Sequence, residues 1–264
     1  MAVEGDGHHW SPRYSLGRLL LSQAKASDAL VHFEAATRMR DNAAPRLQVA
    51  KSLRALGQNE SAWVILNDLL TYPPNKFSKS FVRVGEPESR LPVELQLGLL
   101  ESSLQNWSDA LPWLQMVLKD DPQLLEARYS LAISLRSLGR HDDAQREFQQ
   151  VARAREAIAE ADRLVDEVIG RSEPCVAERC RIGELFLTYE SRQRGEFWLR
   201  ETLRRDPDYA PAHRLLAGYY AELAQKDPSY LEQAERHRRA AAVAPESDSP
   251  TATGFVPEGS NPSQ

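Results

Sequence analysis

Small and bulky apolar residues recur along this chain at fixed intervals. Gly17, Ala50, Gly98, Ala132, Gly183 and Ala217 each follow an aliphatic residue directly: Leu16, Val49, Leu97, Leu131, Ile182 and Leu216. Twelve residues after each of the first five stands a second small residue: Ala29, Ala62, Ala110, Ala144 and Gly195. Four further on comes a large apolar side chain: Phe33, Leu66, Leu114, Phe148 and Leu199. This spacing predicts antiparallel helix pairs. Two helices approach closely only where a side chain is small, and the bulky residue one turn later fills the neighbouring space. Gly57 and Gly139 stop the first helix of a pair, because glycine takes the left-handed conformation without steric cost. Ser108 and Asp142 stand where an N-cap for the second helix is expected. Pro122 and Pro207 lie beyond a second helix and open the next pair. A sixth pair fits after a five-residue insertion that brings Ala234 into the alanine position, with Arg238 in place of the bulky residue.

Two stretches break the pattern. Residues 75–90, with Gly85 and Pro87 and little helical periodicity, are expected to be a loop or short extended piece. Asp142 to Ile169 contains no glycine or proline and predicts one elongated helix, stopped by Gly170 and Pro174. The Pro-, Ser-, Gly- and Thr-rich residues 246–264 are expected to be a disordered tail, as are residues 1–9 at the other end.

The recurrence resembles the tetratricopeptide repeat, a helix–turn–helix unit of about 34 residues. Matched on that motif, units begin near Trp10, Ala43, Leu91, Leu125, Val176 and Ala210. The fold expected is all-α: a right-handed superhelix (α-solenoid) of antiparallel helix pairs, about six units. Units one and two occupy 10–74, units three and four 91–170, and units five and six 174–245. The repeat's usual tryptophan near the start is replaced by Arg13, Arg46, Glu94, Arg128, Arg179 and His213, and Glu101 takes a position that is normally aromatic or aliphatic.

The resemblance implies a non-enzymatic interaction scaffold whose first helices line a concave groove for a peptide or protein segment. The alternative is a regulatory or docking region of a larger enzyme or cytochrome-type assembly. Positions two, five, nine and twelve of a unit share one helix face. That face gives Tyr14, Arg18 and Leu21, then Leu47, Lys51 and Arg54. It continues with Leu95, Leu99 and Ser102, then Glu126, Tyr129, Ile133 and Arg136, then Cys180, Glu184 and Leu187, and finally Arg214. The predicted groove residues are Tyr14, Arg18, Lys51, Arg54, Leu95, Leu99, Tyr129, Ile133, Arg136 and Arg214. Their basic character suits an acidic or amphipathic partner segment. The family's best-known site clamps a terminal carboxylate with lysine, asparagine and arginine. Here Arg18 and Lys51 replace the asparagines, so that function is not carried over.

Composition narrows the partners. The formal net charge is −5 over 264 residues, which argues against bulk attraction to nucleic acid or anionic membranes. Apolar runs are too short for membrane insertion, and the acidic N-terminus lacks a signal-peptide pattern, so a cytoplasmic location is expected. The two cysteines, Cys175 and Cys180, are spaced for neither a CxxC metal site nor haem attachment and are expected to be reduced. No nucleophile elbow, zinc-protease or phosphate-loop motif occurs, so no enzyme activity, metal or cofactor is expected. His32, His141, His213 and His237 lie on different helices without ligand spacing, and the tryptophans Trp63, Trp107, Trp113 and Trp198 are expected to pack in the core.

Overall fold

In the computed structural model, residues 10–39, 42–82, 89–171 and 173–243 are described. The described residues form thirteen α-helices and one short 3₁₀ turn. In chain order these are α1 (Trp10–Ser22), α2 (Ala26–Met39), α3 (Ala43–Ala55), α4 (Asn59–Thr71) and α5 (Pro74–Val82). Then come α6 (Leu91–Ser103), α7 (Trp107–Asp120), α8 (Leu125–Ser137) and α9 (His141–Ile169). The last four are α10 (Val176–Tyr189), α11 (Arg192–Arg205), α12 (Ala210–Ala224) and α13 (Leu231–Val243), with the 3₁₀ turn Pro228–Tyr230 inside the predicted insertion. The segments 1–9 and 246–264 lie outside the described residues.

The helices pair as α1/α2, α3/α4, α6/α7, α10/α11 and α12/α13, and α8 pairs with the start of α9 through Leu131, Leu135 and Ala144. The chain divides into two compact units between Glu156 and Ala157, inside α9. In the first unit, each second helix also touches the next first helix: α2 meets α3, α4 meets α6 and α7 meets α8. The first helices form a row, α1 beside α3, α3 beside α6, and α6 beside α8. This is an all-α solenoid arrangement, in which each pair of the first unit buries its apolar stripe against its neighbour.

The small-against-bulky code is visible atom by atom. A Cβ on Gly17 would lie 2.6 Å from the Phe33 ring, on Gly98 2.8 Å from Leu114, and on Gly183 2.7 Å from Leu199. Each such contact lets a bulky side chain reach full burial; removing one leucine or phenylalanine from water is worth about 2–3 kcal/mol. Gly57 and Gly139 have φ of 74° and 77°, the left-handed stop that the sequence predicts.

Three expectations are corrected. Residues 75–90 are not wholly loop, because Pro74–Val82 is a nine-residue helix. Phe77 and Phe81 stand one turn apart on it, both buried, with ring centroids 4.7 Å apart. The backbone N–H of Ala44 donates to Ser80 Oγ at 2.8 Å, so α5 satisfies an otherwise open amide at the start of α3. Residues 83–88 lie outside the described residues. Second, Ser108 and Asp142 are not N-caps; they are the second residues of α7 and α9. Gln105, at φ 63°, turns the chain early, and Asn106 flanks α7 with its amide drawn to the Glu101 carboxylate at 2.8 Å. Third, Trp63 is exposed rather than packed in the core.

Three of the six positions that replace the usual tryptophan share one use. Arg128 Nη2 donates to the Pro122 carbonyl at 2.7 Å, and Arg179 Nε to the Pro174 carbonyl at 3.0 Å. His213 Nε2 meets the Pro207 carbonyl at 2.8 Å. In these three units the polar residue one turn into the first helix thus holds the proline loop that precedes it. Proline contributes a carbonyl but no N–H, so the loop offers an acceptor that these donors satisfy.

Candidate functional site

The face shared by the first helices is continuous across α3, α6 and α8. Arg54, from α3, donates through Nε to Gln96 Oε1 on α6 at 3.0 Å and through Nη2 to Glu126 Oε1 on α8 at 3.5 Å. One guanidinium therefore spans three consecutive first helices. Beyond it, Tyr129 stands exposed on α8, with its ring edge-on to Phe148 of α9 at 5.8 Å. The Arg136 guanidinium lies 5.3 Å from the Phe148 ring centre, and that of Arg155 lies 5.5 Å from the Tyr129 ring centre. Two cations and two aromatic rings alternate here. Each guanidinium gains attraction from a ring face, and both arginines are exposed.

The predicted groove residues separate into three groups. Arg18, Tyr129 and Arg136 are exposed, and Lys51, Arg54, Leu95 and Ile133 are half-buried on the same row of helices. Tyr14 and Leu99 are buried, and this corrects their place in the contact surface. Tyr14 is only 1% exposed, its ring wedged edge-on between Trp10 and Phe33. The helical face rule gives the direction of a side chain but not what covers it. Leu99 belongs to the core with Leu114 and Leu131. Leu47 and Ser102 are likewise buried, Ser102 sharing a 3.2 Å hydrogen bond with Ser134.

Arg214, in the second unit, is exposed. In that unit Cys180 is buried, and burial pushes its thiol up to about 12, so it is not a nucleophile at neutral pH. Both cysteines are free thiols. Glu184 is engaged by Arg181 at 2.9 Å.

Two features of the molecule were missed from the sequence. Arg155 sits on the elongated helix, outside the repeat register, and its only sequence signal is one helical turn from Val151. The second is the meeting of His213 on α12 with His237 on α13, their Nδ1 atoms 2.8 Å apart. A carbonyl can only accept, so His213 holds its proton on Nε2, toward Pro207, and His237 Nδ1–H is the donor to His213 Nδ1. Tyr220 stacks on the His237 ring at 5.6 Å and donates to Glu196 at 2.6 Å, while Arg200 donates to the Tyr220 hydroxyl at 3.0 Å. Burial first, then His213, Arg236 and Arg200, lowers the His237 pKa to about 4.

The folded form therefore holds fewer protons at His237 than the unfolded chain, whose imidazole titrates near 6.5. Stability from this site is present above that pH and is lost as pH falls from about 6.5 toward 4. Thermal midpoints of parent and His237→Asn, measured across this window, are expected to converge as the pH drops. Curves that stay parallel would remove this role from His237.

No group of three or more histidine, cysteine, aspartate or glutamate side chains placed to hold a metal occurs among the described residues. No described helix is long and apolar enough to cross a membrane.

Antiparallel helix pairs, with a small residue set against a bulky one where Gly17 meets Phe33, Gly98 meets Leu114 and Gly183 meets Leu199, define an all-α helical-repeat fold. No family model and no curated protein matches the sequence. Among solved structures, the chain is similar to YrrB, a TPR protein with an unusual peptide-binding site. The identity is 17% and the TM-score 0.42, over 81% of this chain and 94% of that one. MamA from Desulfovibrio magneticus RS-1 is 14% identical with a TM-score of 0.37, over 90% and 94%. A chain of the APC/C hetero-tetramer Cut9–Hcn1 is 18% identical with a TM-score of 0.45, over 93% of this chain and 42% of its own.

Proposed function

We propose that this chain is a protein–protein interaction scaffold whose first-helix face, from α3 to α8, takes an acidic or amphipathic segment of a partner. One observation carries the reading: Arg54 joins three first helices into one surface, beside the alternating Arg136, Phe148, Tyr129 and Arg155. Basic and aromatic groups are concentrated there, although the chain as a whole is acidic. A partner carboxylate would meet guanidinium donors that are already oriented by the rings, and apolar partner residues would rest on Tyr129, Leu95 and Ile133. Arg18 and Lys51 extend the same charge toward α1, and Arg214 contributes exposed positive charge in the second unit. Binding of this kind weakens as salt rises, because part of the attraction is between exposed charges.

The test begins with affinity capture of partners on the parent chain. The double variant Arg136→Glu with Arg155→Glu is then compared with the parent. Both residues are exposed, so folding is expected to survive. Partner affinity is expected to fall about tenfold or more, as for reversal of two interfacial charges. If the folded variant keeps every partner at parental affinity, this face is not the binding surface.

A further inference from the structure

We propose that a pocket between the start of α4 and the α6–α7 turn is a docking site for an arginine on a basic segment of a partner protein. It is separate from the basic face and opposite to it in charge. The pocket measures about 480 Å³ and is lined by Glu60, Trp63, Val64, Glu101, Leu104 and Asp109, with Asn106 at the turn. Three of these are carboxylates, and none is a lysine or arginine. The walls are apolar and open: Trp63 is 44% exposed, Val64 62% and Leu104 39%.

Glu101 is the anomaly that points to the ligand. It is 8% exposed, a depth at which acidic side chains are rare unless paired. Its Oε1 accepts from Trp63 Nε1 at 2.9 Å and its Oε2 from Asn106 Nδ2 at 2.8 Å. Both donors are neutral, and no ion pair to Glu101 occurs among the described residues. The corresponding position in the other five units is apolar or aromatic: Leu20, Leu53, Leu135, Phe186 and Tyr220. A buried carboxylate therefore stands where the other units carry a core side chain, and it lines a pocket together with two more carboxylates.

Arginine fits each part. Its planar guanidinium can lie against the Trp63 indole, its fork matches carboxylate geometry, and its aliphatic stem covers Val64 and Leu104. A lysine ammonium would satisfy the charge but not the stacking or the fork. A solvated acidic surface would need neither the apolar wall nor the buried glutamate.

The probe is a blocked pentapeptide of alternating leucine and arginine, titrated into the full chain. The Trp63 indole N–H signal is followed by NMR and assigned through Trp63→Phe. Saturable binding that shifts this signal is expected. The pair Glu60→Gln with Asp109→Asn, both exposed and uninvolved in packing, is expected to weaken it about tenfold, as loss of two charge contacts does. Arg136→Glu with Arg155→Glu should leave it unchanged, which separates failure here from failure of the basic face. Absence of a Trp63 shift overturns the proposal, as does binding that ignores the Glu60 and Asp109 changes. An equally good peptide with lysine for arginine overturns the choice of arginine, and tighter binding of the glutamate version overturns the charge assignment.

Discussion

Gly195→Ala is expected to lower the stability of the α10/α11 pair by about 3 kcal/mol, the upper range for overpacking a tight contact. The added Cβ would lie 2.5 Å from Leu187 N and 2.6 Å from Leu187 Cα and Cβ. Two of these atoms are main chain. A long side chain could swing aside, but a helix backbone must move as a body and carry Phe186 and Leu185 out of their buried sites. The comparison is Gly57→Ala, where a new Cβ meets nothing within 4 Å and the only cost is the left-handed φ of 74°. That strain is worth about 1–2 kcal/mol. Hydrogen exchange of the α10 and α11 amides reads the local effect. Protection lost there in Gly195→Ala, and kept there in Gly57→Ala, is the expected pair of results. Unchanged protection in Gly195→Ala would show that these helices do not meet as closely as the geometry requires.

Ala110→Glu is the larger insult to the first unit. Ala110 is fully buried on α7, in the core that holds Leu99, Leu114 and Val117. A glutamate there brings excess volume and an unpaired charge with no donor to meet it. The expected cost is about 3–5 kcal/mol, or on the order of 10 °C in thermal midpoint for a chain of this size. Ala144→Glu on α9 should act in the same direction, since Ala144 is buried in the same core. Ser108→Glu is the control. It lies exposed in the first turn of α7, where a negative charge complements the helix dipole, and it should be neutral. A midpoint for Ala110→Glu equal to that of the parent would show that the repeat register is wrong.

The repeat register assigns residues to one row of first helices, and the places where it falls short have separate physical reasons. Arg18, Lys51, Arg54, Tyr129 and Arg136 were placed on first helices by the repeat, and the structure puts them on one row. Tyr14 obeys the same face rule yet is buried, because Trp10 and Phe33 close over it at the first helix pair. The α5 helix was masked by the glycine and proline that follow it, although Phe77 and Phe81 carry a four-residue spacing that could have revealed it. Arg155 was out of reach, since it lies on the elongated part of α9, where no repeat position defines a face.

The sequence by itself determined the hairpins. Gly17 with Phe33, Gly98 with Leu114, and Gly183 with Leu199 are encoded sixteen residues apart, and so close in the chain that packing and order are the same information. Tertiary structure alone decided which polar groups meet: Arg54 with Glu126, His213 with His237, and Trp63 with Glu101. Those partners lie 72, 24 and 38 residues apart. Helical periodicity fixes the angle at which a side chain leaves its helix, but the packing of that helix against its neighbours fixes what it finds there. Charge and hydrogen bonding act over a few ångströms, so they are settled only when that packing is complete.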